Sequence, residues 1–134
     1  MLSPDLDTVR LWLHVLGATV WVGGQIVLLA LLPVLRDAGG TVARDAARAW
    51  NRVAWAAFAL LLVSGIWNLL EISFSDRSTA YQVTVFVKLL VVAVAGGAAA
   101  VHSLTASRKV LAITGALGGL ASLGALWLGV LLRA

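Results

Sequence analysis

The sequence contains no cysteine, and its only methionine is Met1. The absence of cysteine excludes a disulfide scaffold, a thiolate metal site and a cysteine nucleophile. A copper(I) path lined by sulfur is excluded as well, because that soft ion prefers cysteine and methionine ligands. Charged residues are also scarce, at 12% of the 134 residues, whereas a soluble domain has about 25%.

Hydrophobic residues are correspondingly abundant in the sequence. They make up 61% of the chain, and the mean hydropathy is +0.99. A soluble domain this short buries only part of its surface and cannot hide so much apolar area. The composition therefore predicts an integral membrane protein and excludes a soluble enzyme. The net charge is +4, and the basic residues lie mostly between the apolar runs. This placement indicates contact with the lipid bilayer and no nucleic-acid partner.

The apolar residues form four runs, each long enough for a membrane helix of roughly 20 residues. The four predicted helices cover about residues 9–35, 44–71, 80–103 and 109–132. Such runs are too long and too continuously apolar for barrel strands. We predict an all-α fold, with residues 1–134 forming a single transmembrane domain, an antiparallel bundle of four helices.

Basic residues are divided unequally between the two sides of this topology. The links on one side contain Arg36, Arg44, Arg48, Arg52, Arg108 and Lys109. The other side has Arg10, Arg77 and Arg133. The positive-inside rule therefore predicts a multi-pass protein of the cytoplasmic membrane, with both the N-terminus and the C-terminus outside.

Few polar side chains fall within the predicted spans, and each is a candidate functional group because placing it in a bilayer costs free energy. A rise of about 1.5 Å per residue places four of them in the outer half of the membrane, namely His14, Asn68, Glu71 and Lys88. We expect them to line a polar pocket that opens outward. His102 lies roughly 20–25 Å deeper than His14, which excludes a bis-histidine haem between them.

Alternatives stay open for these side chains. His14 is either a ligand or a neutral histidine bonded to a backbone carbonyl or to Asn68. Lys88 either serves the pocket, snorkels outward or pairs with Glu71. Trp21, near the middle of the membrane, fits helix packing, with stacking on a cofactor as the alternative.

Helix 4 has no polar stripe and carries a face of small residues instead. That face consists of Gly115, Gly118, Gly119, Ser122, Ala125 and Gly129. Small residues let two helix backbones approach closely. The face predicts packing within the bundle, and a homodimer contact through such faces is the alternative.

Three segments resemble the CopD family of membrane proteins. They are LHVLGATVWVGG at 13–24, residues 52–70 with SGIWNL at 64–69, and residues 81–90 with KLL at 88–90. The order of these segments, with Leu-Pro at 32–33, is also similar to the HemJ family. After Pro33 the match to HemJ fails, because Val34 and Leu35 precede Arg36.

The two resemblances imply different functions. CopD-like proteins are associated with copper uptake or tolerance, which implies copper handling with His14 as a metal ligand and Glu71 as a second one. HemJ-like proteins are haem-containing protoporphyrinogen oxidases. That likeness implies haem b at His14, with Trp21 and Asn68 in the cofactor site and Lys88 beside a propionate.

A third hypothesis needs no ligand. The polar residues would then form a satisfied hydrogen-bond network in a structural or accessory membrane subunit. The sequence shows no nucleophile–base pair, phosphate loop or zinc motif, so it predicts no enzymatic activity outside the HemJ-like alternative.

Overall fold

The computed structural model describes residues 3–133 and contains four long helices. These are α1, Leu6–Asp37; α2, Val42–Leu70; α3, Thr79–Leu104; and α4, Arg108–Leu131. A short 3-10 helix, Phe74–Asp76, lies between α2 and α3, and residues 3–133 contain no strand. All four long helices are long and apolar enough to cross a membrane. The predicted all-α fold class is confirmed, and the chain is a multi-pass membrane protein.

Three of the helices begin after residues that cap them. The carboxylate of Asp5 accepts hydrogen bonds from the backbone N–H and the hydroxyl of Thr8, at 2.8 and 2.6 Å. Ser78 and Ser107 cap α3 and α4 in the same way, each through its side-chain oxygen. Such caps satisfy N–H groups that have no partner within the helix. The cap at Asp5 explains why α1 begins at Leu6, earlier than hydropathy predicts.

The chain divides into two compact units, Met1–Ile72 and Ser73–Ala134. In the first unit α1 packs on α2, and in the second α3 packs on α4. The short link between α1 and α2 turns through Gly39 and Gly40, whose φ angles are +74° and +56°. Other residues adopt this left-handed conformation only at a cost, so the glycines make the tight reversal possible. Each unit is thus an antiparallel helical hairpin.

Glycines on α1 bring the two helices of the first hairpin together. A Cβ atom on Gly17 would lie 3.0 Å from Leu61 Cγ and 3.2 Å from the carbonyl oxygen of Ala57. A Cβ atom on Gly24 would overlap the indole ring of Trp50. The face of α1 that carries these glycines therefore packs directly on α2.

An aromatic cluster fills the same interface. Trp21 on α1 is 5% exposed and packs against Trp55 and Phe58 of α2, with ring centroids 6.3 and 4.7 Å away. Trp55 and Phe58 meet edge to face at 5.7 Å. Such tilted arrangements are favourable for aromatic pairs. Trp21 therefore packs between helices, and stacking on a cofactor stays a prediction.

Small residues form the interface of the second hairpin. Ala95 and Ala98 of α3 are buried, as are Gly118 and Ser122 of α4. A Cβ atom on Gly118 would meet the Cβ of Ala98 at 3.5 Å. The small-residue face of α4 thus packs on α3 within this hairpin, while the homodimer contact stays a prediction.

Candidate functional site

His14 and Ser64 form a hydrogen bond between the two helices of the first hairpin. The distance from His14 Nδ1 to Ser64 Oγ is 2.9 Å. Ser64 is 1% exposed, and its Oγ lies 2.6 Å from the carbonyl oxygen of Leu60. A carbonyl oxygen only accepts, so the single hydroxyl hydrogen of Ser64 points at Leu60. His14 must therefore donate from Nδ1, and Ser64 accepts.

This hydrogen bond determines that the ring nitrogen facing Ser64, Nδ1, carries a hydrogen. A neutral histidine that is protonated at Nδ1 has its lone pair on Nε2. Histidines that bind metals commonly use one ring nitrogen as ligand while the other donates to a neighbouring group, which fixes the ring orientation. For His14, the neighbouring group that accepts this hydrogen bond is the hydroxyl of Ser64. Nε2 of His14 is thus the nitrogen that can act as a ligand.

Gly65 provides the surface on which the imidazole lies. A Cβ atom at Gly65 would be 3.3 Å from Cε1 of His14 and 3.7 Å from Nδ1. Contacts of 3.3 Å are tighter than ordinary van der Waals contact, so a larger residue would push the ring away. Gly65 and Ser64 together fix both the position and the tautomer of the ring.

Arg10 lies one helical turn before His14 and on the same face of α1. It is 9% exposed, and its Nη2 pairs with the carboxylate of Asp7 at 3.0 Å. Its Nε and Nη1 atoms are buried and have no hydrogen-bond partner. The Oδ1 atom of Asn68, one turn beyond Ser64 on α2, is also buried without a partner. Unpartnered donors and an unpartnered acceptor near a histidine indicate a place for a polar ligand or water.

Glu71 contributes to a recess at the end of the hairpin that lies away from the α1–α2 turn. Trp67 Nε1 donates to Glu71 Oε1 at 3.3 Å. The recess is open, has a volume of about 430 Å³ and is lined by Asp5, Leu6, Asp7, Trp67 and Glu71. No group of three or more His, Cys, Asp or Glu residues that could hold a metal ion occurs among the described residues. The role of Glu71 as a metal ligand with His14 stays a prediction.

Lys88 belongs to the second unit and lies on the α3–α4 hairpin. Its Nζ atom is 3.2 Å from the position that a Cβ of Gly129 would take. The side chain is half-buried, so the glycine makes room for the ammonium group. The expected pocket shared by His14 and Lys88 stays a prediction.

Sequence reasoning missed three contributors to the His14 site. In the sequence alone, Arg10 is one of three basic residues on its side of the topology, and Ser64 and Gly65 are part of the CopD-like segment at 64–69. The position of Arg10 four residues before His14 is a signal that helical periodicity could have used.

Comparison with known proteins leaves the family open: no family model, no curated protein and no solved structure matches this chain. The likeness to the CopD and HemJ families therefore stays a prediction.

Proposed function

We propose that this membrane protein binds a haem through His14 of its first helical hairpin. The observation that carries the proposal is the hydrogen bond from His14 Nδ1 to Ser64, which leaves Nε2 as the ligand nitrogen. Axial histidines of haem proteins bind iron through one ring nitrogen, and a hydrogen bond from the other commonly orients the ring. The HemJ-like order of the motifs supports the same cofactor.

The donor chemistry of the hairpin fits a haem because a porphyrin supplies the equatorial ligands of its own iron. One imidazole from the protein then suffices as an axial ligand. A copper ion without a porphyrin needs further donors from the protein, and Glu71 is the one that the sequence predicts. Copper handling therefore stays the alternative that the CopD-like resemblance implies.

Arg10 is a residue that would bind a carboxylate of the cofactor. A haem carries two propionates, and arginine N–H groups bind carboxylates well. Arg10 has two buried N–H-bearing nitrogens without a partner, and it lies in the second turn of α1. In this proposal Arg10 would bind a propionate from the first hairpin.

When bound, a haem supplies one-electron redox chemistry at its iron. The residues that would hold it are His14, whose ring is oriented by Ser64, and Arg10, whose guanidinium would offset the charge of a carboxylate. The proposal places the His14 end of the hairpin outside the cytoplasmic membrane, as the distribution of basic residues predicts.

Haem titration of the purified protein in detergent tests the proposal. We expect the native chain to develop a Soret band, and His14→Ala to lose the part of it that depends on this site. Ser64→Ala should weaken haem binding by roughly 10–100-fold, as the loss of an outer-shell partner does.

Thr19→Val is a matched control for Ser64→Ala. Thr19 also donates to a carbonyl one turn earlier on the same hairpin, at 2.9 Å, so its loss removes a similar hydroxyl away from His14. Binding that is unchanged by His14→Ala would overturn the proposal. Copper bound in stoichiometric amount by a chain that takes up no haem would favour the CopD-like alternative.

A further inference from the structure

Three arginines form a stripe along the first turns of α2. Arg44, Arg48 and Arg52 follow one another at intervals of four residues, so they share one face of the helix. All three side chains are exposed. Trp50, which packs against Gly24 of α1, lies on the opposite face of α2. The arginine stripe therefore faces away from α1.

The carboxylate nearest to the arginine stripe leaves most of its charge unbalanced. Arg48 Nη1 pairs with Asp45 Oδ1 at 3.3 Å, and the two side chains are 65% and 57% exposed. An ion pair this exposed contributes little free energy. The other carboxylate oxygen of Asp45 accepts a hydrogen bond from the hydroxyl of Thr41, at 2.7 Å. Within residues 3–133, Arg44 and Arg52 form no ion pair with a carboxylate, so the stripe presents guanidinium groups that can bind an anion.

The length of the mostly apolar part of α2 places the arginine stripe at the depth of lipid headgroups. That part covers residues 53–70 and is about 27 Å long, close to the hydrocarbon thickness of about 30 Å. Arg52 therefore lies at the edge of the hydrocarbon, and Arg48 lies about 6 Å farther out. The headgroup layer on each side is roughly 5–8 Å thick. Arg48 and Arg52 thus lie within this layer, and Arg44 lies just beyond it.

Phospholipid phosphates occupy the headgroup layer, and their chemistry fits the arginine stripe. Guanidinium N–H groups bind phosphate oxygens in pairs, through charge-assisted bonds that are stronger than neutral ones. A zwitterionic headgroup such as phosphocholine also carries a cation that the arginines repel, whereas an anionic headgroup such as phosphoglycerol carries none. A soluble phosphate has no acyl chains to hold it at this depth. The stripe therefore favours an anionic phospholipid.

We infer that Arg48 and Arg52 bind the phosphates of anionic phospholipids, with Arg44 as an outer contact. The predicted topology assigns these lipids to the cytoplasmic leaflet. Ser64, the partner of His14, lies 12 residues beyond Arg52 along α2, a distance of about 18 Å. The lipid site is therefore independent of the haem proposed at His14.

Native mass spectrometry of the full-length protein in detergent tests this inference. The probes are phosphatidylglycerol and phosphatidylcholine with the same acyl chains. The native chain should bind phosphatidylglycerol more tightly, and each arginine in the headgroup layer should contribute about fivefold in affinity. Arg48→Gln combined with Arg52→Gln should therefore abolish most of the preference. Equal binding of the two lipids by the native chain would overturn the inference.

Arg77→Gln combined with Arg133→Gln is the matched control. Both arginines are exposed and lie outside the arginine stripe, so this variant changes the net charge by the same amount. Its preference for phosphatidylglycerol should equal that of the native chain. A preference that falls as far as in the stripe variant would mean that overall charge attracts the lipid, and the inference would be wrong.

Asp45→Asn should produce a gain in binding that damage to the fold cannot imitate. The amide removes a carboxylate that competes with the lipid for Arg48. Phosphatidylglycerol should therefore bind about two- to fivefold more tightly, while the binding of phosphatidylcholine stays the same. Unchanged or weaker binding of phosphatidylglycerol would contradict the role of Arg48.

Competition by a soluble headgroup identifies the source of the phosphate. Glycerophosphoglycerol carries the same phosphate without acyl chains, and at equal concentration it should leave the bound phosphatidylglycerol in place. Displacement at equal concentration would show that the arginine stripe binds a free phosphate ester, and it would overturn the assignment to a lipid.

Discussion

Ser64 of α2 accepts a hydrogen bond from His14 of α1 while it donates to the carbonyl oxygen of Leu60, at 2.9 and 2.6 Å. The two bonds together leave one arrangement of hydrogens, in which His14 is protonated at Nδ1. A buried serine thus accepts the hydrogen of Nδ1, and a metal centre bound to this histidine would take Nε2.

Removal of this acceptor should cost stability as well as ligand affinity. Ser64→Ala leaves the Nδ1–H group of His14 without its partner in a half-buried place, a loss of about 1–3 kcal/mol. We expect a corresponding fall in the free energy of unfolding, measured by denaturant titration in detergent micelles. Thr19→Val, which removes an exposed hydroxyl on the same hairpin, serves as control. Equal stability of the alanine variant and the native chain would mean that the hydrogen bond contributes nothing.

Gly17 should be far less tolerant of substitution than Gly23. A Cβ at Gly17 meets Leu61 and the backbone of Ala57, whereas a Cβ at Gly23 meets nothing within 4 Å. Gly17→Ala should therefore lower the free energy of unfolding by about 1–3 kcal/mol through overpacking.

Gly23→Ala is the matched control on the same helix. It should be neutral or raise the free energy of unfolding by up to about 1 kcal/mol, because alanine restricts the unfolded chain and favours helix. The same unfolding measurement covers both variants. Similar stability of the two would show that α1 and α2 are not in the close contact described above.

The N-terminal cap of α1 should respond to acid. Hydrogen bonds from the side chain and then the backbone of Thr8 lower the pKa of Asp5 from its ordinary value of 3.8. The stabilisation by the cap is therefore fully present above pH 3.8 and is lost as the pH falls through the lower pKa of the folded state. An NMR titration of the Asp5 carboxyl should give a midpoint below 3.8.

Thr8→Val removes the hydroxyl that contributes most to this shift, and it should raise the midpoint of the Asp5 titration toward the ordinary value. A native midpoint at or above 3.8, with no response to Thr8→Val, would show that Asp5 does not cap the helix in solution.

The absence of cysteine makes the topology simple to test. Ser107→Cys puts one thiol in the link between α3 and α4, and Ser75→Cys puts one in the segment between α2 and α3. The positive-inside rule predicts that a membrane-impermeant maleimide added to intact cells labels Cys at position 75 and spares the one at position 107. The reverse pattern would invert the predicted orientation and place both termini in the cytoplasm.

Much of the fold could be predicted because its signal is local. Apolar runs of membrane length predict helices whatever their partners are, and the predicted limits differ from those observed by a few residues at the ends. The largest difference is at the start of α1, where the cap formed by Asp5 and Thr8 extends the helix into a polar segment that hydropathy excludes.

The site was harder to predict because it depends on the register between helices. Helical spacing places Ser64 and Asn68 on one stripe, but it does not tell which of them faces His14. Which of the two faces His14 depends on how the helices approach each other at Gly17. That approach is set only when α1 and α2 pack together. The burial of Arg10 is likewise a tertiary effect, since the sequence shows only a charge near a helix end.

Nitrogen-15 NMR of the imidazole of His14, in the ligand-free protein embedded in bilayers at neutral pH, tests the central claim most directly. The account predicts a neutral ring protonated at Nδ1 with an unprotonated Nε2, and a loss of this preference in Ser64→Ala. A ring protonated at Nε2 alone would contradict it, because the lone pair would then point at Ser64 and no ligand nitrogen would be presented.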